Sequence, residues 1–278
     1  MASQTCYRHT SRVTGASCTR CGRPICPDCM IEAPVGHHCP TCVHEARTDM
    51  KQVKKVQFAR GGGMAVKGGI VCMALLAVNV AIFLLGLSDR TLDVRFANNA
   101  LAIAVNGEYY RMLTSAFLHG GLFHIGFNMV LLYVFGSQVE AAIGIPRFIA
   151  LYLLAALGGS ACSLWFSSPT TFSLGASGAV FGVFGAYFVI ARSKGQDTSQ
   201  IVGLIVINLL LGAVVPQIDN AAHIGGLITG AAVAVLYEWA RRQSGAAGIA
   251  VQVAGAAAVA AFIAVATVVR VDNLTPGF

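Results

Sequence analysis

The segment Gly175-Ala176-Ser177-Gly178-Ala179-Val180-Phe181-Gly182 begins one apolar, glycine-rich stretch, and Ala221-Ala222-His223-Ile224-Gly225-Gly226 begins another. An ionisable side chain in a helix long enough to cross a membrane costs free energy, so it indicates a functional site. A serine and a histidine together can act as a nucleophile and its base. The two stretches therefore predict that chemistry takes place between two apolar helices.

The composition is too apolar for a soluble domain. Of the 278 residues, 56% are hydrophobic and only 11% are charged, whereas soluble domains are about one quarter charged. Apolar segments of roughly 20 residues can cross the hydrocarbon core of a bilayer. Seven segments fit this description, the fifth being the shortest: Val66–Leu87, Leu122–Glu140, Phe148–Trp165, Gly175–Ala191, Ile201–Val215, Ala222–Trp239 and Ala246–Val269. We therefore predict an all-α polytopic membrane protein, and the polar residues Met1 to Cys6 predict no cleavable signal peptide.

The net charge of +7 follows the predicted topology rather than a nucleic-acid surface. On one side of the seven spans lie Lys51, Lys54, Lys55, Arg60, Lys67, Arg147, Arg192, Lys194, Arg241 and Arg242. The other side has only Arg90, Arg95, Arg111 and, after the last span, Arg270. An excess of Lys and Arg marks the cytoplasmic face. We expect a multi-pass protein of the plasma membrane with its amino terminus in the cytoplasm and its carboxyl terminus outside, and no nucleic-acid partner.

Paired cysteines and histidines near the amino terminus predict a metal module. Four pairs share a spacing of two intervening residues: Cys6 and His9, Cys18 and Cys21, Cys26 and Cys29, and Cys39 and Cys42. Two such pairs can enclose one tetrahedral zinc ion, so four pairs predict two complete structural sites. His37, His38 or His44 could replace one of these ligands. With four ligands on each ion, no position remains open for catalysis.

A disulfide framework is the alternative for these cysteines. It would require an oxidising compartment, whereas the charge distribution places the module in the reducing cytosol. About 40 residues bury too little core to fold alone, so a metal would supply folding free energy. The module resembles a small cross-braced, B-box-like zinc finger. That resemblance implies that the first and third pairs share one ion and that the second and fourth pairs share the other. Its partner is not indicated.

Further polar residues lie before and within the second span, in the stretch from Tyr109 to Met129. His124 and Asn128 are four residues apart and so share a helix face, and His119 falls just before that helix. Interhelical hydrogen bonding would explain them equally well if they stood alone, and a serine in a helix often bonds only its own backbone. However, the second, fourth and sixth spans all start on the outer side. His119, His124, Asn128, Ser177 and His223 are therefore all predicted at one depth.

These motifs, between about Gly107 and Gly230, resemble the rhomboid family of intramembrane serine proteases. The resemblance rests on His119-x4-His124-x3-Asn128, Gly175-x-Ser177-Gly178 and Ala222-His223-x-x-Gly226-x3-Gly230. It implies a bundle of six helices plus one, with Ser177 as nucleophile and His223 as general base. It implies an oxyanion hole of His124, Asn128 and the amide of Ser177, with His119 shaping that region. No acid is implied as a third member, and we interpret Asp219 as a loop or capping residue.

The glycines of the motifs have a separate use. Gly178, Gly182 and Gly185 on the fourth span, and Gly226 and Gly230 on the sixth, are spaced to let two helices approach closely. The chain also departs from the common rhomboid pattern. Tyr110-Arg111 stands where many relatives have Trp-Arg, and Phe181 stands where many have tyrosine, so it can pack under the imidazole without offering a hydroxyl. Glu140 and Gly144 look structural, with Glu140 near Arg147.

Four regions follow from these observations. Residues 1–45 form the zinc-finger-like module, 46–65 a basic linker, 66–241 a six-helix catalytic core, and 242–278 an additional carboxyl-terminal span with a short tail. The expected activity is cleavage of membrane proteins, by resemblance single-span ones, near the outer face and without a catalytic cofactor. Two alternatives remain open: a transporter or channel in which the histidines relay protons, and a catalytically silent relative that binds membrane proteins.

Overall fold

The computed structural model describes residues 4–33, 35–46, 69–89, 91–243 and 245–275. The chain divides into two compact units, Met1–Ala65 and Val66–Phe278. Almost all of the predicted linker lies outside the described residues, as do residues 66–68 at the start of the predicted first span.

The amino-terminal unit consists of short hairpins around an interior of sulfur atoms. Its elements are β1 (Gln4–Thr5) paired antiparallel with β2 (Val13–Thr14), a 3-10 turn at Pro27–Cys29, β3 (Ile31–Glu32) paired antiparallel with β4 (His37–His38), and a helical segment over residues 40–46. In the described part of this unit, the buried apolar interior comprises six cysteines and one aliphatic side chain, Ile25. Such an interior removes too little apolar surface from water to hold a fold by itself.

The described part of the larger unit consists of helices joined by turns and loops. In chain order its helices are α1 (Ile70–Ser88), α2 (Thr91–Phe96), α3 (Ala100–Asn106), α4 (Arg111–Thr114), α5 (Leu122–Ile143), α6 (Ile145–Phe166), α7 (Ser177–Ser193), α8 (Ser199–Val214), α9 (Asn220–Ala240) and α10 (Gly245–Leu274). Each predicted span coincides with one of the long helices to within a few residues. Five of these are long and apolar enough to cross a membrane, while α7 and α8 have 17 and 16 residues. These helices support a multi-pass membrane protein, and a total of seven spans stays a prediction.

Helices α7 and α9 approach each other backbone to backbone. A methyl group at Gly226 would lie 1.9 Å from the carbonyl oxygen of Gly178, and one at Gly230 would lie 2.1 Å from the carbonyl oxygen of Gly182. Side chains in proteins do not approach a backbone oxygen so closely, so only hydrogen atoms fit along this contact. Small residues are what permit such packing between membrane helices. The first turns of α7 and α9 are thereby held together.

The segment between α1 and α5 is tied to the loop that precedes α7. Asn98 and Ser173 exchange two backbone hydrogen bonds of 2.8 and 2.9 Å. Arg111 is buried, and its Nη1 donates to the carbonyl oxygens of Val94 and Ala97 at 2.7 and 3.1 Å. A buried guanidinium needs such acceptors to offset its lost hydration. The segment is therefore a folded connection rather than an open loop.

Glu140 has a structural role, as expected, and its hydrogen-bond partners lie on α1. Its carboxylate accepts hydrogen bonds from the backbone N–H groups of Val71 and Cys72, at 3.1 and 2.8 Å. A carboxylate at a helix amino terminus satisfies free N–H groups and complements the helix dipole. The side chain of Arg147 donates to Gln252 on α10 and to the carbonyl oxygen of Ile143 at the end of α5. Glu140 of α5 thus caps α1.

The last helix runs past its predicted end. Arg270 was expected just after the span, but it lies inside α10, where its Nε donates to the carbonyl oxygen of Leu164 at 2.8 Å. Its guanidinium also lies 5.6 Å from the centre of the Trp165 ring. Trp165 Nε1 in turn donates to the carbonyl oxygen of Ala266 at 2.9 Å. The Leu164 carbonyl and the Trp165 ring of α6 stabilise the Arg270 guanidinium, so Arg270 can lie within the helix.

Candidate active site and metal clusters

Ser177 is the first residue of α7, directly after a sharp turn at Gly175. Gly175 has φ +132°, a backbone conformation that side chains rarely adopt, and its N–H donates to the carbonyl oxygen of Ser115 at 2.9 Å. A methyl group at Gly175 would lie 2.7 Å from His124 Nε2 and 3.6 Å from Ser177 Oγ. The turn therefore requires glycine for two reasons, its φ and the His124 ring. It also places His124 and Ser177 beside the same residue.

The start of α7 leaves backbone donors open at this point. The residue before it, Ala176, has no side chain that could cap the helix. The first N–H groups of a helix have no partners within it, and the helix dipole makes that end positive. The N–H groups around Ser177 are therefore suited to an oxygen that carries negative charge.

His223 lies in the first turn of α9 and is 7% exposed. Its ring stacks on that of Phe181, with centroids 4.2 Å apart and planes 12° from parallel. Phe181 follows Ser177 by four residues, so the two share one face of α7. The imidazole consequently lies on the face of α7 that bears the serine hydroxyl.

The hydrogen bonding of His223 is incomplete. Its Nδ1 is buried and has no hydrogen-bond partner among the described residues. No hydrogen bond joins Ser177 Oγ to the His223 ring in the part of the chain that the structure describes. Catalytic hydrogen bonds are often long before substrate binds and tighten in the complex. The Ser177 hydroxyl and the His223 ring nevertheless lie against the same face of α7, at the same end of the helix bundle.

His124 has an orientation that bears on its chemistry. The backbone N–H of Gly120 donates to His124 Nδ1 at 3.4 Å, and a neutral imidazole that accepts at one nitrogen carries its proton on the other. That other nitrogen, Nε2, is the one beside Gly175. His124 can therefore present an N–H toward the Ser177 region.

The structure places Asn128 and His119 around His124. Asn128 Nδ2 donates to the carbonyl oxygen of His124 at 2.9 Å, within α5, and the side chain is buried. This leaves one amide hydrogen of Asn128 for another acceptor. The His119 ring meets the His124 ring edge-on at 5.1 Å, and both of its nitrogens are buried without partners among the described residues.

Asp219 is a helix cap, which confirms our interpretation of it. Its carboxylate accepts from the N–H of Ala222 at 3.1 Å, at the amino terminus of α9. It also accepts from Ser163 Oγ at 2.5 Å and from Ser167 Oγ at 3.1 Å. Sequence reasoning missed these two serines. Their spacing of four residues, at the end of an apolar segment that carries no charge there, was the available signal.

The amino-terminal unit brings its eight candidate ligands together in two groups. One group is Cys6, His9, Cys26 and Cys29, and the other is Cys18, Cys21, Cys39 and Cys42. Within each group all ligand atoms lie within 4.8 Å of one another, and neither group contains His37, His38 or His44. No disulfide is formed, and all nine cysteines of the chain are free. The groups combine the first pair with the third and the second with the fourth.

The donor set and its spacing fit a tetrahedral zinc ion. Zinc–sulfur bonds of about 2.3 Å place two thiolates of a tetrahedron about 3.8 Å apart. The sulfur atoms of Cys21 and Cys39 are 3.8 Å apart, and His9 Nδ1 lies 3.3 and 3.4 Å from the sulfurs of Cys26 and Cys29. Both groups could therefore hold a metal ion.

Ionisation of the thiols is strongly uneven in both groups. Burial would raise the pKa of Cys6 and Cys18, but hydrogen bonds from backbone N–H groups lower it to about 6. Burial and the neighbouring sulfurs raise the pKa of Cys29 to about 11 and that of Cys42 to about 12. Thiolates crowded together resist further ionisation. A divalent cation would remove this resistance, since metal ligation requires the deprotonated form.

Comparison with known proteins agrees with the geometry of the larger unit. Residues 106–240 match the family model of the Rhomboid domain. The chain is 37% identical to rhomboid protease GluP of Bacillus subtilis over 165 residues, which is 56% of this chain and 32% of that protein. It is 36% identical over 153 residues to the mitochondrial RHOMBOID-like protein 6 of Arabidopsis thaliana, covering 52% of this chain and 49% of that protein.

A further relative is matched over more of its length. Rhomboid protease AarA of Providencia stuartii is 27% identical over 201 residues, covering 59% of this chain and 71% of that protein. The chain thus spans a third to a half of the length of the first two relatives. Together the matches support the rhomboid family for this chain, and two of the three relatives are named as proteases.

Proposed function

We propose, from the support for the rhomboid family, that this chain is an intramembrane serine endopeptidase. It cleaves membrane-spanning segments of other proteins near the outer face, with Ser177 as nucleophile and His223 as base. The observation that carries this proposal is the stacking of His223 on Phe181, one turn beyond Ser177. This stacking sets an imidazole over the face of α7 that bears a hydroxyl. Within the described residues, neither the Ser177 hydroxyl nor His223 Nδ1 has a hydrogen-bond partner in the structure.

The proposed reaction begins with Ser177 Oγ attacking the carbonyl carbon of the substrate peptide bond. His223 accepts the serine proton as the new carbon–oxygen bond forms, because a serine hydroxyl is a weak nucleophile without a base. The imidazolium then gives that proton to the departing amine, and the peptide C–N bond breaks. A water molecule, deprotonated by the same imidazole, hydrolyses the acyl-serine. The dyad is thereby restored without a cofactor.

Negative charge on the carbonyl oxygen would be stabilised at the start of α7. The backbone N–H of Ser177 and the ring N–H of His124 are the proposed donors, with the unused amide hydrogen of Asn128 as a third. Donors that are fixed in place before reaction stabilise the charge more than mobile ones. Loss of one donor commonly lowers the rate 10²- to 10³-fold. His119 packs against the His124 ring and limits its movement. Gly175, Gly178, Gly226 and Gly230 let the elements approach closely enough.

The proposed orientation places the reaction near the outer surface. Helices α5, α7 and α9 all begin with site residues, and the Lys and Arg bias assigns those beginnings to the outside. Water can then reach the acyl-serine from the periphery rather than through the bilayer. By this topology the amino terminus is cytoplasmic and the carboxyl terminus is outside the plasma membrane. A single-span substrate would unwind locally to offer an extended peptide bond.

The amino-terminal unit is proposed to bind two structural zinc ions through the seven cysteines and one histidine of its two groups. Four protein ligands fill each coordination sphere, so no position is left for a reacting water. The ions replace the hydrophobic core that this unit lacks.

The test uses the purified full chain in proteoliposomes with a single-span substrate. We expect cleavage by the native chain and by Ser193→Ala, a matched serine at the opposite end of α7. We expect none by Ser177→Ala or His223→Ala. A fluorophosphonate probe should label the native chain at Ser177 only. Persistent cleavage by Ser177→Ala would refute the proposal, and proton or ion flux without cleavage would favour a histidine-lined transporter.

The silent-relative hypothesis makes a different prediction in the same assay. It expects substrate binding without cleavage and without labelling of Ser177. Both side chains of the dyad are retained in this chain, and the comparisons do not favour this alternative or the transporter.

A further inference from the structure

Asp219 makes more contacts than a helix cap needs. One carboxylate oxygen accepts from the N–H of Ala222 and from Ser167 Oγ, and the other accepts from Ser163 Oγ. The N–H of Ala222 belongs to α9, whereas both serines lie at the carboxyl end of α6. Asp219 thus joins α6 and α9, which are separated in the chain by α7 and α8. Capping alone would leave the second oxygen free for water.

We call the hydrogen bonds of Asp219 to Ser163 and Ser167 the joint between α9 and α6. The packing of α9 against α7 and α6 explains why this joint would matter. Gly226 and Gly230 meet the backbone of α7, and Gly225 meets the backbone of α6 at Gly158. Glycine contacts bring helices close, but they provide no side chains that interlock and resist sliding or rotation. A directional polar contact at the end of the helix supplies that resistance. Charge-assisted hydrogen bonds are strong and geometrically specific.

The position of the joint relative to His223 makes it relevant to reaction. Asp219 precedes His223 by four residues, and its carbonyl oxygen accepts the backbone N–H of His223 at 3.2 Å. A shift of the amino terminus of α9 would therefore move the imidazole by a similar amount. The imidazole has no side-chain hydrogen bond of its own in the described residues that could compensate. Displacing a catalytic group by about 1 Å can cost 10²-fold in rate.

We infer that Asp219 is a positioning residue: by joining the amino terminus of α9 to Ser163 and Ser167 of α6, it fixes where the His223 ring stands relative to Ser177. This inference rests on the proposed peptidase function and deepens it. The simpler reading is that Asp219 only caps α9. The two readings differ in whether the serine hydroxyls matter once the cap is intact.

Two variants separate these readings. Ser163→Ala combined with Ser167→Ala removes the joint and keeps the capping carboxylate. Asp219→Ser keeps a good cap, but its side chain is too short to reach both α6 hydroxyls. Ser168→Ala is the matched control, since this neighbouring hydroxyl contacts Thr170 instead. All are measured as full chains in proteoliposomes.

We expect both variants to lower kcat about tenfold, with KM within about twofold of the native value. Rates are counted per active site by fluorophosphonate titration, so that any unfolded fraction does not contribute. The rate of phosphonylation of Ser177 should fall by a similar factor, because it needs the same serine and imidazole. Combining all three substitutions should cause no further loss, since one joint is removed in each case. Ser168→Ala should behave as the native chain.

Native kcat per titrated site in the two variants would overturn the inference. So would losses that multiply in the triple variant. Should Asp219→Ser fail to fold, the serine pair alone decides the outcome. If the native chain itself neither cleaves substrate nor labels at Ser177, the proposed function fails first. That result differs from an active native chain whose serine variants have the native kcat.

Discussion

Gly226→Ala tests whether the close approach of α7 and α9 creates the site. The added methyl carbon would lie 1.9 Å from the carbonyl oxygen of Gly178, whereas carbon–oxygen contacts in proteins lie at about 3.3 Å or more. The two helices would have to move apart by about 1.4 Å, which is the difference between these two values. Gly178 adjoins Ser177, and Gly226 lies one turn beyond His223. Moving the helices apart would therefore separate Ser177 from His223.

The expected loss follows from that displacement. Misplacing a reacting group by about 1 Å can cost 10²-fold, so we expect kcat to fall at least 100-fold. Alanine favours helix by about 1 kcal/mol over glycine, and overpacking costs about 1–3 kcal/mol. These effects partly offset each other, so the chain should remain folded with a modest decrease in Tm. The loss is thus catalytic rather than a failure to fold.

The assay is cleavage of a single-span substrate, with phosphonylation of Ser177 as a second measure and Tm as the check on folding. Gly203→Ala is the control, because a methyl group at that position of α8 would meet nothing within 4 Å. It should retain native activity. A Gly226→Ala chain with native kcat and native Tm would show that the helix contact does not set the dyad, and our reasoning about the glycines would be wrong.

Three other substitutions or conditions have defined outcomes. Gly175→Ala should abolish cleavage, because it combines φ +132° with a methyl group 2.7 Å from His124 Nε2; native phosphonylation of Ser177 would contradict this. Phe181→Ala should reduce kcat about tenfold by removing the ring on which His223 stacks. Phe181→Tyr should keep most of the activity. Equal kcat values for the two variants would argue that stacking does not support His223. Chelation should release two zinc ions per chain by elemental analysis and unfold the amino-terminal unit, because the metal supplies its folding free energy. Cleavage by the larger unit should persist. Retention of the fold without metal would oppose the assignment.

The long-range pattern of the chain was readable from its sequence. Apolar length located the seven long helices, and glycine spacing indicated which faces of α7 and α9 approach. The interval of two residues between paired cysteines indicated groups of four ligands. These signals are local or periodic, so each can be recognised without knowing how distant segments pack.

Other features depend on which helix faces meet, and the sequence does not encode that locally. Glu140 caps α1, because the amino terminus of α1 lies beside it in the folded chain. Ser163 became visible as a partner of Asp219 only once α6 and α9 were adjacent. Arg270 was expected to end the last span, since its acceptor on α6 could not be foreseen.

The interior of the amino-terminal unit has a consequence for its behaviour in the cell. A domain lined by aliphatic side chains can lose a bound ion and still stay collapsed. Here six sulfurs and Ile25 form that interior, so oxidation of thiols and loss of shape would occur as one event. If the unit binds zinc as proposed, whatever binds its folded surface would respond to zinc supply and to thiol reduction together.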